Sequence, residues 1–238
     1  QIGTDGVLTM GLTIQDARQR SPMWGSLTLP YADGTLADFD VSVSTSQDWT
    51  SWNNRSTDAF VEYTHTLSND WEGKLTYNHR KGKDSTKLLY AYSLTGTLND
   101  DNTGLFGWPY RSQGDTSTDV IDANLTGRFS AFGRRHEAIF GLSHSKQKNY
   151  TISYDAAGSI GLLLPAFPYG GNVFPEPDWG ATSVGADGNQ QITRLYAATR
   201  LALTERLKGI VGANAISLKR DGTSIYGGGV ALTNEKTN

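Results

Sequence analysis

The feature that most constrains the fold is an alternation of apolar and polar side chains along segments of ten or more residues. Residues 71–80, for example, read WEGKLTYNHR. Successive side chains of a β-strand point to opposite sides of the sheet. One face then carries Trp71, Leu75, Tyr77 and His79, and the other carries Glu72, Lys74, Thr76, Asn78 and Arg80. The apolar face of such a strand covers either a protein core or lipid.

The same alternation returns in pairs of segments that are joined by short polar turns, which is typical of antiparallel hairpins. TDAFVEYTHTL precedes the first segment across Ser68, Asn69 and Asp70. DVIDANLTGRF is followed by HEAIFGLSHS across residues 130–135, and TRLYAATRLAL by LKGIVGANAISLKR across residues 204–206. The predicted strands lie near residues 7–20, 55–67, 71–91, 117–130, 135–153, 191–203 and 206–221, with GGGVALTNEK as the candidate start of an eighth.

Long irregular segments separate the hairpins, at about residues 21–54, 92–117 and 155–190. Loops of that length are uncommon in compact domains and are usually functional. Short turns at one end and long loops at the other are typical of outer-membrane barrels, with periplasmic turns and extracellular loops. Because lipid tolerates no unpaired strand edge, such strands must close into a barrel. The sequence therefore predicts an all-β, antiparallel transmembrane β-barrel of the outer-membrane type, to which this chain contributes about 7–8 strands.

The barrel interpretation assigns the two faces of the sheet. The outer surface should carry Val61, Tyr63, Leu75, Tyr77, Ile121, Leu125, Phe140, Leu142, Leu195 and Leu201. The concave side should carry Lys74, Arg80, Asn124, Arg128 and Arg200. Each segment alone also fits a half-buried strand of a soluble sandwich, since the barrel signal of one segment is weak. Three hairpins with the same turn asymmetry favour the barrel.

Composition excludes several other classes of protein. The net charge is −3 and the basic residues are scattered, so no nucleic-acid partner is expected. With no Cys, the chain has neither disulfides nor thiolate metal sites. The four His lack a metal-ligand spacing, and no motif of a nucleophilic or phosphate-binding enzyme follows a strand. The start, QIGTDGVLTM, does not read as a signal peptide. We therefore expect no enzyme and no metal site.

Several blocks of the sequence resemble a known family. They are MWGSLTLPYADGT, DWTSWNNRSTDAFVEYTH, DWEGKLTYNHRKGKDSTKLLYAY, FSAFGRRHEAIFGLSHS and ITRLYAATRLALTERLKGIVGANAISLKRDG. Over nearly the whole chain, they resemble the TonB-dependent siderophore receptors of Gram-negative outer membranes, in the branch of ferric coprogen/rhodotorulate and ferripyoverdine receptors. Barrels of that kind have about 22 strands. The resemblance therefore implies that residues 1–238 form a middle part of the barrel domain, a partial, open wall of about 7–8 strands, without the signal peptide, plug, TonB box or closing strand.

The resemblance implies uptake of a ferric siderophore across the bacterial outer membrane, energised through TonB in the full-length parent. The implied partners are the ferric siderophore, outer-membrane lipid, and TonB-ExbB-ExbD through the plug and TonB box. Iron would enter only as part of the siderophore ligand, so no other cofactor is expected.

The aromatic residues of the long segments are candidates for gripping such a ligand. A ferric siderophore is bulky and its iron is already saturated, so aromatic faces with a few polar anchors suit it. The candidates are Trp49, Trp52, Trp24, Tyr90 and Tyr110, with Arg111 as an anchor for an anionic group. Each aromatic side chain could instead hold the loops together or belong to the girdle at the membrane interface.

A second functional class stays open at this point. A soluble or surface-anchored β-sheet module that binds a ligand, for example a glycan, could use the same loop tryptophans.

Overall fold

The computed structural model describes residues 5–67, 70–224 and 231–232, and they form one antiparallel sheet of nine strands. The strands are β1 Gly6–Arg20, β2 Ser51–Leu67, β3 Trp71–Ser93, β4 Leu105–Ala131, β5 Arg134–Tyr154, β6 Leu162–Leu163, β7 Thr182–Ala202, β8 Lys208–Ser224 and β9 Ala231–Leu232. None of these residues belongs to a helix that could cross a membrane.

The sheet is an up-and-down meander in which each long strand pairs with its sequence neighbour, in the order β1-β2-β3-β4-β5-β7-β8-β9, while β6 pairs with β4. This confirms the seven predicted strands and their antiparallel pairing. The predicted starts of β4 and β7, near residues 117 and 191, were wrong by about ten residues. Apolar–polar alternation ends there in segments such as QGDTS, but the hydrogen-bonded ladder continues because β4 stays paired with β3 and β7 stays paired with β5. The candidate eighth strand lies outside the described residues, apart from β9.

Short turns and long loops lie at opposite ends of the sheet. β4 and β5 are joined by Phe132 and Gly133 alone, both with positive φ, as a tight type I′ turn requires. This turn is shorter than the predicted 130–135 connection. The predicted turn residues Ser68 and Asn69 lie outside the described part of the chain. At the other end, the strands are connected by residues 21–50, 94–104 and 155–181. The predicted asymmetry between the two ends is confirmed, but each long loop is shorter than predicted.

The pairing register decides which side chains share a face. Tyr77 lies opposite Val61 on one side and Ile121 on the other, and Leu125 lies opposite Phe140. All ten residues predicted for the outer surface share this face. We call its central part the apolar band: Leu8, Met10, Leu12, Ile14, Val61, Tyr63, Leu75, Tyr77, Ile121, Leu125, Phe140, Leu142, Leu195 and Val211. Many of these side chains are about half exposed, for example Phe140 at 50%.

The apolar band is bordered by a tryptophan at one end and by a histidine–aspartate pair at the other. Trp71 marks the turn end, where its ring covers Gly127 and stacks on Phe140. At the loop end, His79 lies 2.8 Å from a carboxylate oxygen of Asp119. Along β3 the two borders are eight residues apart, which is about 26 Å of strand. Tilted by about 40°, this strand spans about 20 Å, close to the ~25 Å apolar band of outer-membrane barrels.

The four histidines follow the same borders. All of them lie on the face of the apolar band, with His65 and His136 at the turn end and His79 and His144 at the loop end. His144 is hydrogen-bonded to Thr193 Oγ1 at 2.8 Å. Among the described residues, no group of three or more potential metal-ligating side chains is placed to hold a metal ion.

The opposite face is polar and concave. All five residues predicted for it, including Lys74, Arg80 and Arg128, lie there. Ion pairs connect neighbouring strands, with Lys74 Nζ 2.8 Å from Glu62 Oε2 and Arg200 3.2 Å from Glu137. A groove on this face is lined by residues from five adjacent strands, β1 to β5. The sheet therefore curves with its charged face inward, as the wall of a wet lumen would.

Candidate functional site

The three long connections fold onto one another into a single body, which we call the loop cap: residues 21–50, 94–104 and 155–181. Its core is apolar and buried, in contrast to the apolar band. The members are Leu89, Ala91, Leu98, Leu105, Leu164, Phe167 and Phe174, each at most 3% exposed. Because β3 and β4 extend beyond the apolar band, Leu89 and Leu105 supply the surface on which the loops pack.

Backbone and side-chain hydrogen bonds join the three loops. Phe174 is held at both ends, since its N–H donates to Gln47 Oε1 at 2.9 Å and its carbonyl accepts from Trp49 Nε1 at 2.8 Å. Leu98 N–H donates to the Pro30 carbonyl at 2.8 Å. The Gln47 side chain is fully buried. Its burial is tolerated because Nε2 donates to the Ser46 carbonyl and Oε1 accepts from the Phe174 N–H. The loop cap is therefore an ordered structure built from segments far apart in sequence.

An ion pair attaches the third loop to the sheet. Lys87 Nζ of β3 lies 2.7 Å from Glu176 Oε1, which also accepts a hydrogen bond from Trp179 Nε1 at 2.9 Å. Partial burial tends to raise the pKa of Glu176, but the Lys87 and Trp179 contacts outweigh it, so the pKa lies below its ordinary value. Burial alone raises the pKa of Tyr169 in the same loop to about 12.

Acid should loosen this attachment. A carboxyl group with a depressed pKa in the folded state contributes stability above its unfolded pKa of about 4.3, and that stability is lost as pH falls through the folded value. Both side chains are about a third exposed, so the effect is about 1 kcal/mol or less. We expect proteolysis within residues 155–181 to accelerate below pH ~4. In Glu176→Gln the rate should already be raised at pH 7, with a smaller pH dependence; an unchanged profile would contradict this role.

Six aromatic side chains gather at the loop end of the concave face. We call this set the aromatic surface: Trp24, Tyr90, Tyr92, Phe106, Trp108 and Tyr110. Its five strand members are at even positions of β3 and β4, on the same face as Lys74 and Arg80. The ring centroids of Trp24 lie 5.8 Å from Tyr90 and 5.2 Å from Tyr110, and Tyr90 stacks on Tyr92 at 6.0 Å. Trp108 is 45% exposed.

Trp24 reaches this surface because the first loop comes very close to β3. Trp24 forms an isolated bridge with Tyr90, and the next residue, Gly25, has a φ of 81°. A Cβ atom at Gly25 would collide with the Tyr90 ring. Only glycine allows both this backbone conformation and this approach.

The structure brings three of the six predicted ligand residues together and separates the others. Trp24, Tyr90 and Tyr110 lie in the aromatic surface. Trp52 shares the concave face, but its partner on β3 is Thr86, four residues or about 13 Å along the strand from Tyr90. Trp49 packs against the core of the loop cap.

Arg111 lies on the opposite face from its neighbour Tyr110, since the two are consecutive in β4. Its guanidinium lies 4.1 Å from the ring centroid of Tyr154, its partner on β5. As ligand contacts, all six residues stay predictions. Truncating Trp49 would open the loop cap, because its ring packs against the core and its Nε1 donates to the Phe174 carbonyl.

Three members of the aromatic surface, Tyr92, Phe106 and Trp108, were not among the predicted site residues. The available signal was period-two spacing of aromatic residues in FGWPY and LLYAY. Pro109 obscured it, because proline argues against a central strand. In the structure β5 pairs with β4 only from Arg111 onward, so at Pro109 the β5 side of β4 is a free edge. The missing N–H of Pro109 therefore removes no hydrogen bond to β5.

The arrangement offers ring faces and hydroxyl groups to a ligand, without a nucleophile or a general base. Aromatic side chains bury large areas with few rotatable bonds, and the tyrosine hydroxyls add polar contacts. Such a surface suits non-covalent binding of a bulky ligand at the mouth of the concave face.

Comparison with curated proteins identifies relatives over the whole chain. It is 29% identical, over 244 aligned positions, to the ferric-pyoverdine BN7/BN8 receptor of Pseudomonas putida, covering 100% of this chain and 30% of the relative. It is 26% identical over 222 positions to the ferripyoverdine receptor of Pseudomonas aeruginosa PAO1, covering 93% and 27%. The chain thus spans less than a third of the relatives' length. No family model matches it.

Solved structures show the same fold. The crystal structure of the ferripyoverdine receptor of the P. aeruginosa outer membrane, bound to ferripyoverdine, aligns with a TM-score of 0.83 at 23% identity, covering all of this chain and 30% of that one. The ferric preacinetobactin receptor BauA of Acinetobacter baumannii aligns with a TM-score of 0.79 at 12% identity, covering 99% and 34%. The predicted resemblance is confirmed: the homologues of this chain are ferric-pyoverdine receptors, and its fold is that of a section of the TonB-dependent receptor barrel.

Proposed function

We propose that this chain is part of the barrel wall of an outer-membrane receptor that takes up a ferric siderophore of the pyoverdine class. Within it, the aromatic surface contacts the iron-loaded ligand. The observation that carries this proposal is the position of the aromatic surface, at the loop end of the concave face, where a ligand arriving from outside would first meet the lumen. The 29% sequence identity to a ferric-pyoverdine receptor, over the full length of this chain, supports the ligand class.

The rest of the parent protein supplies what this section does not. We propose that residues 1–238 are a piece of one barrel domain, and that further strands close the sheet. Transport would be energised by TonB-ExbB-ExbD acting on a plug domain of the parent. Iron would pass as the intact ferric siderophore, so the side chains of this section would not have to coordinate it.

The alternative of a soluble glycan-binding module fits the structure less well. A soluble sheet would cover its apolar face with a second layer, whereas the apolar band runs uncovered across seven strands. An apolar patch of this size marks an interaction with a membrane or another protein, and its height of about 20 Å is close to the ~25 Å band of outer-membrane barrels.

Truncation of Trp108 tests the ligand-binding role. In the full-length parent, we expect Trp108→Ala to weaken binding of ferripyoverdine about fivefold or more, because an aromatic hot spot commonly contributes upward of ~1 kcal/mol. Barrel assembly should be unchanged, since the side chain is 45% exposed and its loss opens no cavity. Ligand affinity is measured by titration calorimetry, which does not depend on tryptophan fluorescence. The folded yield is measured by heat-modifiable gel mobility.

Phe132→Ala is the matched control. Phe132 is 95% exposed in the turn at the opposite end of the sheet, so its loss removes an exposed aromatic ring far from the aromatic surface. Unchanged affinity in Trp108→Ala and Tyr110→Ala alike would exclude the aromatic surface from the ligand site. A fall in folded yield with unchanged affinity would instead assign these rings to the membrane girdle.

A further inference from the structure

A carboxylate without an ion-pair partner lies on the concave face, below the aromatic surface. Asp84 is at an even position of β3, like Arg80 and Tyr90, and its partners are Asn54 on β2 and Gly114 on β4. Gly114 leaves the space that the carboxylate occupies, because a Cβ atom there would collide with it. The Asp84 side chain therefore lies across the backbone of β4.

Within the described residues, no cation forms an ion pair with this carboxylate. Arg80, on the same face, lies 3.5 Å from Asp58. Lys83 points to the outer face and lies 3.8 Å from Asp115. Partial burial, followed by the charge of Asp115, raises the pKa of Asp84 above its ordinary value. A half-buried charge is costly without a compensating partner, so this position favours a cation.

Asp84 lines the groove of the concave face, whose volume is about 480 Å³. The other inward-facing side chains are Arg80 and neutral residues such as Asn54, Thr116 and Gln147. An ammonium group has three N–H donors. The Asp84 carboxylate and the amide oxygen of Asn54, on the neighbouring strand, are suitable acceptors. The groove thus offers one negative group within a neutral, hydrogen-bonding lining.

The loop cap carries charge of the same sign. Residues 21–50, 94–104 and 155–181 contain four, two and three carboxylate side chains and no Lys, Arg or His. One of the nine, Glu176, is paired with Lys87. A field of one sign at an entrance raises the local concentration of ligands of opposite charge and accelerates their association. The entrance therefore favours a cationic ligand independently of the groove.

We propose that Asp84 binds an ammonium group carried by the iron-loaded siderophore, while the aromatic surface contacts the rest of the ligand. Gly114, beneath the Asp84 carboxylate, is four residues of β4 from Tyr110, or about 13 Å along the strand. A pendant chain of about four extended residues spans this distance. The inference rests on the receptor function proposed above and adds the charge of the ligand to it.

The test compares two probes on the full-length receptor by titration calorimetry: a ferripyoverdine that carries one free amine, and the same molecule after acetylation of that amine. We expect the unmodified receptor to bind the free-amine form about tenfold more tightly, the contribution of one charge-assisted hydrogen bond. Asp84→Asn should weaken binding of the free-amine form about tenfold and leave the affinity for the acetylated form unchanged.

Asp115→Asn is the matched control. Asp115 follows Gly114 in β4 and points to the outer face, so this change removes the same charge at the same height of the wall, away from the groove. The long-range attraction falls equally in the two variants. Only Asp84→Asn removes the direct contact, so the control should keep the tenfold preference for the free-amine form.

Three results would overturn the Asp84 site: equal affinity of the unmodified receptor for the two probes, a preference that persists in Asp84→Asn, or loss of the preference in Asp115→Asn. In each case binding of the probes by the unmodified receptor would leave the receptor function intact. If the unmodified receptor bound neither probe, the receptor function itself would be overturned, and the Asp84 site with it.

Discussion

Leu89→Ala should open the loop cap at a cost of about 2–5 kcal/mol, the range observed for deleting a buried leucine side chain. Leu89 is completely buried, and its side chain packs in the apolar core with Leu98, Leu164 and Phe174. The strands below it have their own hydrogen-bonded ladder, so the wall should stay folded. The expected result in the full-length parent is faster amide hydrogen exchange in the loop cap alone.

Leu94→Ala provides the comparison for this change. Leu94 follows β3 directly and is 72% exposed, so the same substitution there removes no buried contact. We expect a stability change within about 0.5 kcal/mol. If both variants exchanged equally fast, the loop cap would not depend on its apolar core. If exchange accelerated throughout the strands in Leu89→Ala, cap and wall would form one cooperative unit.

Leu125→Arg should destabilise the wall by about 2 kcal/mol, because a charge on the lipid face of a barrel costs about 2–4 kcal/mol at the bilayer midplane and less toward the interface. Leu125 lies between Gly73 and Phe140 on the apolar band, two residues of β4 from Gly127 at the turn-end border and six from Asp119 at the loop-end border. The cost arises because the guanidinium must leave water for hydrocarbon. Urea titration of the full-length parent folded into lipid vesicles measures it.

Thr126→Arg is the matched variant on the other face. Thr126 is the next residue of β4, and its partner on β3 is Glu72, so an arginine there faces a carboxylate within a wet lumen. We expect little change in its unfolding free energy. Two equally destabilised variants would contradict the assignment of faces, and a normally stable Leu125→Arg would place that side chain away from lipid.

The turn asymmetry and the two faces could be predicted from sequence because they depend on local chemistry. Side chains of a strand alternate with period two whatever surrounds the strand. Hence Leu75, Tyr77 and Lys74 were assigned correctly without knowledge of the neighbouring strands. The turn at Phe132 and Gly133 is similarly local, since it depends on two positive φ angles.

The upper ends of the strands could not be predicted, because there the alternation stops while the pairing continues. Residues such as Gln113 and Gly114 form strand because β3 and β5 lie on either side of them and pair with their backbone groups. That is a property of the assembled sheet. The same effect explains the incomplete prediction of the aromatic surface, whose rings come from β3, from β4 and from a loop some 66 residues before Tyr90 in the sequence.

By itself, then, the sequence determined the class of fold, the short turns, and the division of each strand into a lipid face and a polar face, because all three are encoded within about ten residues. The tertiary structure alone decided which aromatic residues meet. It placed Trp49 against the core of the loop cap and Trp24 on Tyr90, and it turned Arg111 away from Tyr110. These outcomes depend on pairing register and on packing between segments distant in the chain, which local patterns do not encode.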